Sequence, residues 1–427
     1  MSDQVPVPEV HSPATARGIG GIGSAVGIAA VASLALLLVL RRLLGPDPYA
    51  LFMTVWGVLF GISTAITVLE QEVSRRASHD EVVGTPSDLG SVRVGIVGLV
   101  AVVVLHVVIL IIPQVRTRLY GTDHTWTLAA IVIAATLGFV AQYWVRGMLI
   151  GHGRVRPYST LLLVEAFSRI GTLGLLWLAF SPVSIVSAVV ATMTGSFAWL
   201  LVARRARREL DTSRPSPDAW GAIIRRTLVL GGGLALMSLL LTAYPSVAAL
   251  VLGGSAGLGP VFSVITATRI PLVMVTPLQT VTIPLVVHTV ERKGVGGLTP
   301  LLVKGGAILA VIALAGLGLG WWLGPWVVRL MFAFDVPAWS VAAISAGSVL
   351  IGAAQLLVAV LVALDRHLAA ALTWAIGAAV AVVVLATMAG SGTAVVTASL
   401  TAASVAVALA STVAVILTVR QAFPAAH

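Results

Sequence analysis

Two side chains of opposite charge interrupt the apolar run LLLVEAFSRIGTLGLLWLAF, residues 161–180: Glu165 and Arg169. Spaced i, i+4 with the acid first, they share one helix face in the order that favours pairing. A helix entering near residue 158 rises 1.5 Å per residue and carries Arg169 to about 16 Å, close to the middle of a bilayer. Charge at that depth costs at least ~2.5–3.5 kcal/mol on insertion scales, so it needs a partner or a wet cavity. The pair is either a structural ion link between helices or a cavity-facing site that meets a substrate or a coupling proton. Arg269 has no carboxylate near it in sequence, and its helix also carries Pro271, Pro277 and Pro284, each inviting a kink. It either meets carbonyls and snorkels, or stands as a fixed positive charge for an anionic group. Arg41 and Arg42 end the first helix as interfacial anchors or as the outer end of a cationic path. Gln142 and Gln355 read as helix-bracing polar groups. His106 and His288 lie in apolar runs, as satisfied histidines or, with Glu165, as candidates for ion coupling.

The elements that position these groups follow from composition. The 427 residues are 58% hydrophobic and 10% charged, with mean hydropathy +1.04, which excludes a water-soluble globule. The uncharged runs have helix length rather than the ~10-residue alternation of a barrel. They predict twelve helices near 22–43, 48–70, 92–112, 126–150, 158–180, 183–203, 227–252, 260–289, 302–323, 338–364, 368–389 and 395–419. With both termini on one side, that side collects 19 of the 26 Lys and Arg residues and the opposite side five. The termini are therefore expected on the cytoplasmic side; arginine at 24 of the 26 basic positions, with abundant Ala and Val, adds the expectation of a bacterial cell and its inner membrane. The net charge of +10 is explained by this asymmetry and does not point to nucleic acid. Arg17 ahead of a long Gly/Ala/Leu segment argues against a cleaved signal peptide.

No cysteine is present, which removes disulfides, thiolate metal sites and cysteine nucleophiles. No His, Asp and Glu grouping has metal-ligand spacing, and no nucleotide loop occurs. The glycine-rich GGIG and GGSAGLG stretches sit at membrane helices rather than after strands. The chain is thus expected to be no enzyme and to need no cofactor or metal.

The sequence also repeats itself. Leu44-Gly45-Pro46 returns as Leu258-Gly259-Pro260, while Trp126, Ala141-Gln142 and Val145 return as Trp339, Ala354-Gln355 and Val358, an offset of half the chain. Six helices per copy give both copies the same orientation. The expected architecture is an all-α integral membrane protein of about twelve helices in two pseudo-symmetric six-helix lobes around a central cavity. Its parts are a disordered tail (1–17), an N-terminal lobe (18–203), a basic linker (204–226), a C-terminal lobe (227–420) and a short tail (421–427). Residues 213 positions after Glu165 and Arg169 are Ala378 and Val382, so the scaffold itself does not require the charges.

The stretches RRLLGPDPYALF, EVSRR, GHGRVRPYS, LGPWVVRLMFAFD and ALDRH resemble those of polysaccharide (O-antigen-type) flippases in the multidrug/oligosaccharidyl-lipid/polysaccharide exporter superfamily. The resemblance covers roughly residues 20–420. It implies a two-lobed transporter that moves a polyprenyl-diphosphate-linked glycan to the outer leaflet by alternating access. It also implies partnership with membrane lipids and with a glycan polymerase or glycosyltransferases. Related exporters often have an Asp in helix 7 where this chain has TAYPSVAALVL, which leaves ion coupling open. The lipid II flippases usually have 14 helices, against twelve here. Arg169 and Arg269 would then contact the diphosphate, with Glu165 orienting or releasing Arg169. Two other readings stand beside this one: a drug/cation antiporter of the same superfamily, which should present unpaired carboxylates, and a non-transporting scaffold for glycan assembly.

Overall fold

The computed structural model describes residues 13–269, 272, 275, 282, 285, 286, 288–290, 292, 294–364 and 366–421. Among these the β-type pairing is one isolated bridge, Ser87 with Leu210. Eleven helices among the described residues are long and apolar enough to cross a bilayer, and the chain is an all-α integral membrane protein.

Punctuation residues set the first helices. α1 (Pro13–Leu44) gives way at Gly45, whose φ of 76° suits glycine, to α2 (Pro46–Ile66), where proline sits in the first turn and sacrifices no helix bond. The chain turns at Thr67 and continues as α3 (Val68–Val83) to the left-handed Gly84. Helix therefore runs well past the expected end at residue 70, because the charged residues after it remain good helix formers although they are not apolar. α4 (Leu89–Ile111) begins at Asp88, whose carboxylate accepts from the Gly90 N–H at 2.7 Å. Then come α5 (Pro113–Tyr120), α6 (Thr125–Gly151), α7 (Val155–Ala179), α8 (Ile185–Thr194) and α9 (Ala203–Arg208).

The second half comprises α10 (Trp220–Leu241), α11 (Tyr244–Leu252), α12 (Gly259–Thr268), α13 (Leu298–Trp322), α14 (Gly324–Phe332), α15 (Ala338–Ala363), α16 (His367–Thr387) and α17 (Gly392–Gln421). The helix expected at 227–252 is two helices, α10 and α11, separated at Thr242 and Ala243 just before Pro245. It also starts earlier, so Arg225 and Arg226 of the expected linker ride on α10. α12 is the first part of the helix expected at 260–289; Pro271, Pro277 and Pro284 lie outside the described residues. So do residues 1–12 and 422–427 of the expected tails, while Pro13 onward is already helical.

Within the first half α1 packs on α7, and α6 is surrounded by α2, α3, α4 and α8. In the second half α15 packs between α13 and α17, and α17 packs on α16. The halves meet where α2 crosses α10, α11 and α12. Lipid offers no hydrophobic drive for such contacts, so small residues and hydrogen bonds must supply close approach. A Cβ on Gly57 would stand 3.1 Å from the Ser246 backbone nitrogen, and one on Gly61 3.3 Å from Ala243 Cα. Ser246 Oγ donates to the Thr54 carbonyl at 2.7 Å, and the Thr64 and Thr242 hydroxyls lie 3.2 Å apart.

The face opposite the termini is closed by a reciprocal arrangement. α5 of the first half packs on α11 of the second, and α14 of the second half packs on α1 of the first. Arg118 on α5 donates to the Leu250 carbonyl at 2.7 Å, while Arg42 on α1 donates to the Leu330 carbonyl at 2.9 Å. The two repeated Leu-Gly-Pro motifs meet here: a Cβ on Gly259 would lie 3.1 Å from the Pro46 carbonyl oxygen.

Candidate functional site

Ionised groups persist inside a membrane protein only where other charges, hydrogen bonds or water compensate them. Four of them converge in the first half. α7 brings Glu165 and Arg169, about 15 and 21 Å along the helix from Val155. α6 brings Gln142 and Arg146, four residues apart and so on one face. Glu70 comes from the first turn of α3.

Glu165 is the hub. Its Oε1 accepts from Arg169 Nη2 at 2.5 Å, its Oε2 accepts from Gln142 Nε2 at 2.7 Å, and Arg146 Nη1 stands 3.8 Å from Oε2. Gln142 thereby ties α6 to α7. Arg146 is shared with a second acid: its Nε lies 2.9 Å from Glu70 Oε2, at ion-pair distance although without hydrogen-bond alignment. Tyr158 completes that side, donating to Glu70 Oε1 at 2.8 Å and accepting from Arg146 Nη2 at 3.1 Å. Two guanidiniums thus face two carboxylates, with no net charge. The Arg169 guanidinium also lies over the Phe60 ring, 5.0 Å from its centroid. Gly195 makes room for it, since a Cβ there would collide with Arg169 Nε.

Burial grades across the cluster. Arg169 is 5% exposed in its side chain, whereas Glu165, Arg146 and Glu70 are 15–16% exposed. Their outlet is an open pocket of about 350 Å³ lined by Thr67, Glu70, Gln71, Ser74, Arg146 and Ile150. On the terminus-bearing face beyond it, Arg76 pairs with Asp218 at 2.6 Å and Arg154 with Glu209 at 2.9 Å. That hydrogen-bonded pairing with Glu209 raises the Arg154 pKa above the ordinary arginine value.

The remaining expected residues sit elsewhere. Arg269 does not stand as a free cavity charge: its guanidinium donates to the carbonyls of Leu240, at 2.5 Å, and Leu241. Those are carbonyls that the end of α10 leaves without helical partners, so Arg269 caps a helix. Arg41 is buried, donates to the Ala333 carbonyl at 3.4 Å and lies 3.8 Å from the Phe334 ring centroid; with Arg42 it belongs to the closed face described above. His106 is buried with Nε2 2.8 Å from Thr136 Oγ1. His288 is exposed, and Gln355 is half-buried on α15.

Arg146, Glu70 and Tyr158 are the residues that sequence reasoning missed. In the topological count Arg146 and Glu70 pass as charges at helix ends. The readable signal was the uncharged MLI stretch after Arg146, which continues the membrane helix beyond it.

No protein-family model matches the sequence. The chain is similar to two Mycobacterium tuberculosis proteins. Uncharacterized protein Rv3630 is 25% identical over 376 residues, which covers 85% of this chain and 83% of that protein. Uncharacterized protein Rv1510 is 28% identical over 397 residues, covering 84% and 83%. Among solved structures, the inward-facing conformation of a multidrug resistance MATE family transporter of the MOP superfamily superposes with a TM-score of 0.73 at 16% identity, covering 95% of this chain and 99% of that one. An outward-facing conformation of such a transporter gives 0.60 at 16% identity, covering 95% of both chains. A MOP superfamily transporter from Pyrococcus furiosus, for which reverse polarity of the binding pocket suggests a different function, gives 0.59 at 17% identity, covering 94% and 93%. The fold is that of MOP superfamily transporters.

Proposed function

We propose that the protein is a membrane transporter that carries a polyprenyl-diphosphate-linked glycan from the cytoplasmic to the outer leaflet by alternating access. It would act in a bacterial inner membrane with both termini in the cytoplasm, beside the enzymes that build the glycan. One observation carries this reading: each carboxylate of the buried cluster, Glu70 and Glu165, already has a guanidinium partner. The site holds no spare negative charge for a cation. Its arginines can instead exchange carboxylate for phosphate oxygens, which they match bidentately. Arg146, bordering the pocket, meets the diphosphate first; Glu70 and Tyr158 keep it oriented and neutralised between cycles. The polyprenyl tail stays in hydrocarbon, so only the head group needs the polar route.

The test uses purified full-length protein in vesicles containing a fluorescent polyprenyl-diphosphate glycan, with leaflet exposure read by a membrane-impermeant quencher. Arg146→Gln should slow flipping about tenfold or more, as expected for loss of a charge-assisted hydrogen bond of ~1.5–3 kcal/mol. The same vesicles should show no proton-driven efflux of an organic cation. Cation efflux without lipid flipping would establish the drug antiporter instead.

A further inference from the structure

One side of α1 bears an apolar groove that the charged cluster does not use. Between α1 and α7 it encloses about 210 Å³, with no polar surface in its walls of Leu36, Val39, Leu43, Ile170, Leu173 and Trp177. Past Val39 and Leu43 it continues into a recess of about 410 Å³ between α1 and α14, whose outer wall is Arg42. From Leu36 to Arg42 the groove therefore descends about 9 Å below the guanidinium into the hydrocarbon.

Arg42 is exposed and has one structural bond, Nη2 to the Leu330 carbonyl. A guanidinium carries five N–H donors, and among the described residues no carboxylate pairs with this one. An apolar slot that ends in an uncompensated cation at the membrane surface matches the two parts of a phosphate-headed lipid. A zwitterionic head group brings its own cation into competition with Arg42; a net-anionic head group does not.

We propose that this groove binds an anionic phospholipid of the outer leaflet, its phosphate on Arg42 and the upper part of one acyl chain between α1 and α7. The assignment is independent of the transported substrate.

Native mass spectrometry of the full-length protein in detergent, titrated with phosphatidylglycerol or phosphatidylcholine, tests it. The parent protein should retain phosphatidylglycerol in preference. Arg42→Gln should lower that retention about fivefold, the size of one arginine's attraction to an anionic surface. Gly174→Phe acts independently of charge: Gly174 lines the groove and a Cβ there meets nothing within 4 Å, so the ring has room to fill the groove and should displace the chain. Arg116→Gln, whose guanidinium lies over Trp126, should leave retention unchanged. Equal retention of the two lipids, undiminished binding in both groove variants, or an equal loss in Arg116→Gln would overturn the proposal. Stronger binding of a polyprenyl phosphate than of phosphatidylglycerol would assign the groove to the transported lipid and overturn it as well.

Discussion

Arg169 and Glu165 hold each other inside the bundle, and the cost of separating them differs from the cost of removing both. Arg169→Ala would leave Glu165 with Gln142 and a more distant Arg146, and breaking such a buried pair costs about 3–5 kcal/mol. Earlier thermal unfolding in detergent is the expected readout. Replacing both, as Glu165→Leu with Arg169→Met, should recover most of the melting temperature because apolar side chains of similar volume can fill the site. Under the proposed function, flipping should be lost in both the single and the double variant; normal flipping in the double variant would reduce the pair to scaffolding. At this scale the i, i+4 spacing exposed half of the cluster in the sequence. The other half was hidden because Glu70 and Arg146 come from other helices, and a linear spacing rule carries no information about which helices touch. Arg269 shows the converse: its isolation in sequence left a carbonyl partner and a fixed cavity charge both open, and only the fold brings the Leu240 and Leu241 carbonyls to it.

Helix starts were legible at Gly45-Pro46 and Gly259-Pro260, since glycine frees the chain to turn and proline fixes φ for the first helical turn, but not at Gly324-Pro325, where the short α14 was not expected. Helix continuity was not. Hydropathy separates lipid from water, so it ended the second helix at its charges although α3 continues, and it fused α10 with α11 because both are apolar. The crossing of α2 over α11 depends on glycines at positions where a side chain would strike the facing backbone. Gly61→Leu should wedge these helices apart. Because the chain has no cysteine, a single Ser246→Cys reporter has no background. A membrane-impermeant maleimide added on the face opposite the termini should label it severalfold more in the Gly61→Leu protein than in its parent. Equal labelling would mean that this crossing does not govern access.

At the scale of the whole molecule, the proposed alternating access requires the two halves to part where they now touch. Thr64 and Thr242, whose hydroxyls are 3.2 Å apart across the halves, offer a tether. Oxidising a Thr64→Cys/Thr242→Cys protein should stop flipping, and reduction should restore it; uninterrupted flipping in the crosslinked protein would exclude a rocking mechanism. The half-chain offset of Leu-Gly-Pro was legible in the sequence, but the meeting of the two motifs at Pro46 and Gly259 required the fold. The exchange of α5 and α14, each covering the partner half, has a consequence for origin. A polypeptide of only one half's length would have no lid of its own and would complete itself only by pairing with a second copy. In a single chain the two halves need not be identical, and they are not: Glu165 and Arg169 stand in the first half where the second has Ala378 and Val382.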